Sequence, residues 1–201
     1  MGDIADTISE AVDKAADSRS RLNNAVASLV AISATFMALC NVKDGNVVQA
    51  MAQAQARAVD QWAYFQAKGT KQNMAESMVD QLRIERDVAP SMAAESRALL
   101  DRKIAEYEAK AKKYEEEKAE IKRGAEALEQ QYDALNVHDD QFDMAEAGIS
   151  IGIAMSGVTA LTQKRWLLFV ALAFTGVGAV LGLAGFLGWS IHPDAIAKLL
   201  G

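Results

Sequence analysis

A long charged segment interrupts the apolar sequence of this chain and most constrains its fold. Apolar runs cover Leu22–Val42, Ala145–Leu161 and Trp166–Ile191, with charges only at their edges, and the charged segment separates the first run from the second. A helix needs about 20 apolar residues to cross a bilayer. Because Trp166–Ile191 is apolar on every face, it suits lipid better than the core of a soluble protein. The pattern predicts an all-α membrane protein with three transmembrane helices, at 21–42, 143–162 and 165–191.

The charged segment, 43–141, is predicted to form a long extramembrane helical hairpin. Pro90 disfavours helical geometry at Ala89, which places the tip of the hairpin near 89–91. The second arm repeats apolar residues in alternating steps of four and three, the spacing of a left-handed coiled coil. Apart from Lys118, the residues at these positions are apolar or aromatic: Leu100, Ile104, Tyr107, Ala111, Tyr114, Ile121, Ala125, Leu128, Tyr132 and Leu135. The pattern therefore predicts an antiparallel coiled coil, whose partner is the other arm or a neighbouring chain.

The first arm has a less regular pattern. Asn41–Asn46 is polar and contains a glycine, so it is predicted to be a joint between the first span and the hairpin. The helical pattern resumes at Val47 and shifts its phase near Gly69, continuing through Met74, Met78 and Leu82. The second arm is predicted to end at Leu135 with Asn136 as its cap. Segment 1–20 is predicted to be an amphipathic helix and 192–201 a tail.

Small residues recur every fourth position in the predicted spans. They are Gly148, Gly152 and Ser156 in the second span, Gly178 and Gly182 in the third, and two alanine pairs in the first, Ala27 with Ala31 and Ala34 with Ala38. Such spacing lets helix backbones approach closely in lipid. We expect these faces to mediate both packing within the chain and association between copies.

Composition excludes several functions. A net charge of −6 leaves no basic face for nucleic acid, and Cys40, the single cysteine, excludes an internal disulfide. An acidic cluster with His138 near 139–146 would suit a divalent cation, but acids at the start of a span are better explained by the helix dipole and solvation. No catalytic constellation, metal site or cofactor is predicted, and the protein is not expected to be an enzyme.

Basic residues near the ends of the spans predict the orientation. Lys14, Arg19, Arg21, Lys164 and Arg165 all fall on the side of the N-terminus. The positive-inside rule therefore places the N-terminus in the cytoplasm. The predicted location is the bacterial inner membrane, with the hairpin in the periplasm.

The segment Asp60–Lys71 concentrates aromatic residues beside lysine and glutamine. It resembles the pattern Asp-Gln-Trp-Ala-Tyr-Tyr-Gln-Ala-Lys-Ser-x-Lys of a bacterial membrane protein family, domain-of-unknown-function family 4337; Phe65 and Gly69 depart from that pattern. The layout of three spans with a coiled-coil insert also resembles this family. The resemblance implies a membrane location and no particular activity.

The sequence therefore favours a homo-oligomeric membrane scaffold without catalytic activity, whose partners are its own copies and the lipid bilayer. The predicted contacts in the hairpin are the seam residues Leu100, Ile104, Tyr107, Tyr114, Ile121, Leu128, Tyr132 and Leu135, with Trp62, Tyr64 and Phe65 as a second patch. The alternative is a channel-forming subunit, or an accessory subunit that binds another membrane protein of a transport complex.

Overall fold

The computed structural model describes the backbone of residues 2–189 and 191, and the side chains of Glu10 and of residues 13–189 and 191. Three helices account for nearly all of this range: α1 (Gly2–Val88), α2 (Ala94–Thr162) and α3 (Arg165–Leu187). No strand occurs among the described residues, so the prediction of an all-helical chain is confirmed. The predicted tail, 192–201, lies outside the described residues.

Helix α1 is continuous through the joint that the sequence predicted at Asn41–Asn46. Gly45 is exposed, and a methyl group built on it would meet no other atom within 4 Å. One glycine inside a helix costs only about 1 kcal/mol relative to alanine, so the flanking turns keep the segment helical. The expected interruption is therefore absent.

Helix α1 ends at Val88, two residues before Pro90, as the proline effect predicts. The connection closes with a hydrogen bond from the Met92 N–H to the Ala89 carbonyl at 3.1 Å. Helix α2 then begins at Ala94 and does not end at Leu135. Asn136 is therefore a helix-interior residue and not a cap, because neither glycine nor proline follows it to stop the helix.

The last two helices are joined by a very short connection. Gln163 adopts a left-handed conformation (φ 59°), and its side-chain amide donates to the Asn23 side-chain oxygen of α1 at 3.0 Å. Helix α3 ends at Leu187 because Gly188 is left-handed (φ 70°), and the Trp189 N–H donates to the Ala184 carbonyl at 3.0 Å. The helix is thus shorter than the span predicted over 165–191.

Each of the three helices contains a stretch long and apolar enough to cross a membrane. Large apolar side chains are exposed there, among them Ile32 in α1, Leu161 in α2 and Phe169 in α3. Water would make such exposure unfavourable, whereas lipid would not. These stretches agree with a membrane protein.

The chain divides into two compact units. One contains residues 1–50 with 134–201, and the other contains residues 51–133. The core of the first unit buries Cys40, Phe142, Ala145, Ile149 and Ala171 completely or almost completely. The core of the second lies along the contact between α1 and α2.

Candidate functional site: a polar and aromatic layer between two helices

The heptad positions of α2 form the face that packs against α1 within the second unit. All of these residues are buried or half-buried, from Leu100 to Tyr132. The residues between them, such as Glu115 and Glu116, are mostly exposed. The predicted seam residues from Leu100 to Tyr132 thus share one covered face, which packs against α1.

Helix α1 presents a matching face with an unbroken heptad pattern. Its buried or half-buried residues alternate in steps of three and four: Met51, Ala54, Ala58, Gln61, Phe65, Lys68, Gln72, Ala75, Val79, Leu82 and Arg86. The predicted phase shift near Gly69 is therefore wrong, and Met74 is 68% exposed. Polar residues at Gln61, Lys68 and Gln72 concealed the repeat, because a search for apolar periodicity passes over them.

Lys68 lies at the centre of this contact. Its ammonium forms an ion pair with Glu117 of α2, and only 12% of the Lys68 side chain is exposed. The same ammonium lies 5.3 Å from the ring centres of Tyr64 and Tyr114, within the range of a cation–π interaction. The hydrogen bond with Glu117 raises the pKa of Lys68 and lowers that of Glu117, so both groups stay charged.

Lys118 of α2 completes the layer from the opposite helix. It donates to the Gln72 side-chain oxygen at 3.2 Å and lies 5.1 Å from the ring centre of Phe65. A methyl group built on Gly69 would lie 3.7 Å from the end of the Lys118 side chain. We call Tyr64, Phe65, Lys68, Gln72, Tyr114, Glu117 and Lys118 the polar–aromatic layer.

Further contacts follow on both sides of this layer. The Trp62 indole N–H donates to Glu129 at 2.7 Å. Arg83 pairs with Glu108 at 2.5 Å, and Arg86 with Asp101 at 3.1 Å. Residues later in α1 thus contact residues earlier in α2. Of the predicted second patch, Trp62 and Phe65 contact each other edge to face at 5.6 Å, whereas Tyr64 is 49% exposed.

The small residues of the second and third spans lie in contacts within the first unit. A methyl group built on Gly178 would lie 2.7 Å from the Ala145 carbonyl oxygen, and one on Gly148 would lie 3.2 Å from the Gly178 Cα atom. Gly182 faces Phe36 and Cys40 of α1, and a methyl group on Gly152 would collide with Thr175. Ser156 is fully buried, and its hydroxyl donates to the Gly152 carbonyl at 2.8 Å.

The small residues of the first span are placed differently. Ala27, Ala31, Ala34 and Ala38 are all exposed. At about 100° per residue they fall within about 60° of one another on α1. The buried residues of this stretch, including Ser33 and Cys40, lie on the opposite side of the helix.

Gln141 is a buried polar residue that no sequence pattern predicted to be functional. Its side chain is fully buried, and its amide nitrogen donates to the carbonyls of Trp189 and Ile191, each at 2.7 Å. It thereby satisfies two carbonyls that follow the end of α3. Because charged residues, Asp140 and Asp143, lie close on both sides of it, no apolar pattern in the sequence indicated its burial.

In the first unit, acidic side chains of α1 and α2 lie close to one another. Burial is the main cause that raises the pKa of Asp139 to about 6, followed by the charges of Asp44 and Asp143. Burial and the charge of Asp143 also raise the pKa of Asp44. Within the described residues, no group of three or more histidine, cysteine or acidic side chains is arranged to hold a metal ion. Burial and mutual repulsion thus favour the protonated forms of Asp139 and Asp44.

These features define a class: all-helical proteins with three helices apolar enough to cross a membrane and a long polar helical pair. The family called Domain of unknown function (DUF4337) matches residues 22–188, and the chain belongs to this family. The match includes Asp60–Lys71, which provides three residues of the polar–aromatic layer, Tyr64, Phe65 and Lys68. No curated protein and no solved structure matches the chain.

Proposed function

We propose that the protein is a homo-oligomeric membrane scaffold without catalytic activity. In this proposal the three apolar stretches cross the bilayer, and 43–141 forms an antiparallel coiled-coil hairpin outside it. The observation that carries self-association is the exposed alanine face of α1, formed by Ala27, Ala31, Ala34 and Ala38. Gly148, Gly152, Gly178 and Gly182 already pack inside the chain, whereas the alanine face of α1 is a small-residue surface that remains uncovered and can receive a second copy.

The hairpin contacts support the coiled-coil part of the proposal. Covered positions on both helices follow the heptad spacing, and their partners run in opposite directions along the chain. Tyr107, Tyr114 and Tyr132 are half-buried in the same face of α2. We therefore assign the tyrosines to the hairpin itself and the alanine face to association between copies.

The proposed location is the bacterial inner membrane, with the N-terminus in the cytoplasm and the hairpin in the periplasm. Two basic residues near the predicted cytoplasmic ends of the spans form contacts with polar side chains of α1. Arg165 forms a hydrogen bond with Ser18, and Arg21 pairs with Asp17 at 2.7 Å. Basic groups held near the ends of the predicted spans support a cytoplasmic assignment under the positive-inside rule.

Native mass spectrometry of the detergent-extracted full chain tests the proposal. We expect one defined homo-oligomer that dissociates when Ala31→Leu and Ala34→Leu are combined, because the larger side chains separate the α1 backbones. Ala173→Leu is the matched control, since Ala173 is also exposed but lies on α3. It should leave the mass unchanged.

Two results would overturn the scaffold proposal. The first is a wild-type monomer under mild activation, and the second is an oligomer that the double alanine substitution leaves intact. A complex with a different protein would instead favour the accessory-subunit alternative.

A further inference from the structure

We propose that the groove beside Trp62 binds a small organic cation with an alkylammonium group. The groove lies between α1 and α2 within the second unit and has a volume of about 460 Å³. Its walls combine aromatic and aliphatic surface from Trp62, Tyr132 and Leu128 with the carboxylates of Glu129 and Asp133. Pockets of this size and mixed lining are typical of small-molecule sites.

The aromatic residues of the second unit differ in whether the chain itself supplies a cation. Lys68 lies near the rings of Tyr64 and Tyr114, Lys118 near Phe65, and Lys110 near Tyr107. In residues 51–133, the remaining aromatic rings are those of Trp62 and Tyr132. Neither ring has a lysine or arginine near its face within the described part of the chain, and both line this groove.

The charges that line the groove also favour a cationic ligand. Glu129 and Asp133 are separated by one helical turn, so their side chains are neighbours about 6 Å apart at Cβ. Among residues 13–189, no lysine or arginine forms an ion pair with either carboxylate, although several other acids of α2 have such partners. The groove therefore offers two aromatic rings and two carboxylates to a cation that the chain does not provide.

The contacts of Trp62 fix the position of its indole ring and of one carboxylate in the groove before a ligand binds. The bond from its indole N–H to Glu129 at 2.7 Å fixes one carboxylate oxygen and leaves the other for an ammonium group. The edge contact with Phe65 at 5.6 Å holds the orientation of the indole ring. A tetrahedral alkylammonium group satisfies both features, because indole faces attract organic cations most strongly among aromatic side chains.

Fluorescence titration of the full chain in detergent tests the site. Trp166→Phe and Trp189→Phe leave Trp62 as the single tryptophan, since the chain has 3 in all. The probes are tetramethylammonium chloride and 1,4-diaminobutane, with sodium chloride at matched ionic strength and neutral 1,4-butanediol as references. We expect a saturable change in Trp62 emission with the two ammonium probes alone.

Charge-removing variants distinguish a site from diffuse attraction. Glu129→Gln keeps an acceptor for the indole N–H but removes the charge, and we expect it to weaken binding about tenfold, as should Asp133→Asn. Glu116→Gln removes the same charge from an exposed position of α2 outside the groove and should leave the affinity unchanged. Circular dichroism of each variant verifies that the helices persist.

Three outcomes would contradict the proposal. They are an emission change no larger than that with sodium chloride, an equal response to 1,4-butanediol, and an equal loss of affinity in the Glu116→Gln control. The titration measures binding in the groove, whereas the mass measurement tests self-association. Either proposal can therefore fail without the other.

Discussion

Gly178 shows how one missing side chain sets the distance between two helices. Its Cα lies against α2, where a methyl group would meet the Ala145 carbonyl at 2.7 Å and the Ile149 backbone nitrogen at 2.9 Å. Backbone atoms cannot rotate away as a flexible side chain can. The contact between α2 and α3 therefore depends on glycine at this position.

We expect Gly178→Ala to destabilise the protein by about 1–3 kcal/mol, the usual cost of overpacking. Gly176→Ala is the matched control, because a methyl group there meets no atom within 4 Å. It should be neutral or slightly stabilising through its higher helix propensity. Unfolding in detergent followed by circular dichroism measures both; equal stability of the two variants would refute the proposed packing role.

Gln141 supports a second prediction at the residue scale. Gln141→Leu removes the donor for the carbonyls of Trp189 and Ile191 and leaves them without that partner. Losing a part-buried hydrogen bond costs on the order of 1 kcal/mol. We expect lower stability and faster proteolysis after α3, whereas Gln131→Leu, at an exposed position of α2, should change neither.

At the scale of the elements, the two helices of the polar pair were not equally predictable. The seam of α2 was visible in the sequence because all of its members except Lys118 are apolar or aromatic. The seam of α1 was not, because Lys68 and Gln72 occupy covered positions that apolar periodicity does not identify. Lys68 and Gln72 can occupy covered positions because they pair with Glu117 and Lys118, which are distant in sequence. Pairing between polar residues is a property of two elements together.

The polar–aromatic layer is expected to fix the register of the two helices, as polar residues in coiled-coil seams do. We predict that Lys68→Glu and Glu117→Lys each lower the melting temperature by several degrees, since each places like charges together. Combining them restores the ion pair and should recover most of the loss. Thermal unfolding of the full chain measures this. Additive losses in the double variant would show that the pair does not act as a unit.

The acidic cluster predicts that the stability of the contact between α1 and α2 in the first unit depends on pH. Asp139 has a pKa of about 6 in the folded chain against an ordinary value of 3.8, so the folded state holds its proton more tightly than the unfolded state. Its contribution is most favourable at acidic pH, and stability falls as pH rises from about 4 to about 6. Asp44, Asp140 and Asp143 add to the effect by repelling the charged form.

We expect Asp139→Asn to raise the melting temperature at neutral pH and to flatten the profile between pH 4 and 6. Glu115→Gln, an exposed change of the same charge, controls for the net charge of the protein. An unchanged slope in Asp139→Asn would show that another group titrates in this window.

At the scale of the whole molecule, sequence patterns predicted the all-helical class, the three apolar stretches and the break before Pro90, because apolar run length and proline act locally. They did not predict that α1 continues through Gly45, since helix continuity depends on the balance between one unfavourable residue and long favourable flanks. Nor did they indicate which small-residue faces pack against other helices of the same chain. That distinction emerges only when all three apolar stretches are packed together.

The proposed orientation leads to a prediction about accessibility. In a Cys40→Ala background, which removes the single buried cysteine, Ala109→Cys places a thiol on the exposed surface of the hairpin and Ser20→Cys places one near the N-terminus. Because the positive-inside rule puts the basic ends in the cytoplasm, a membrane-impermeant maleimide added to cells with a permeabilised outer membrane should label residue 109 alone. Residue 20 should react only after the inner membrane is lysed. The reverse pattern would invert the topology, and labelling of both thiols in intact cells would contradict a membrane barrier between them.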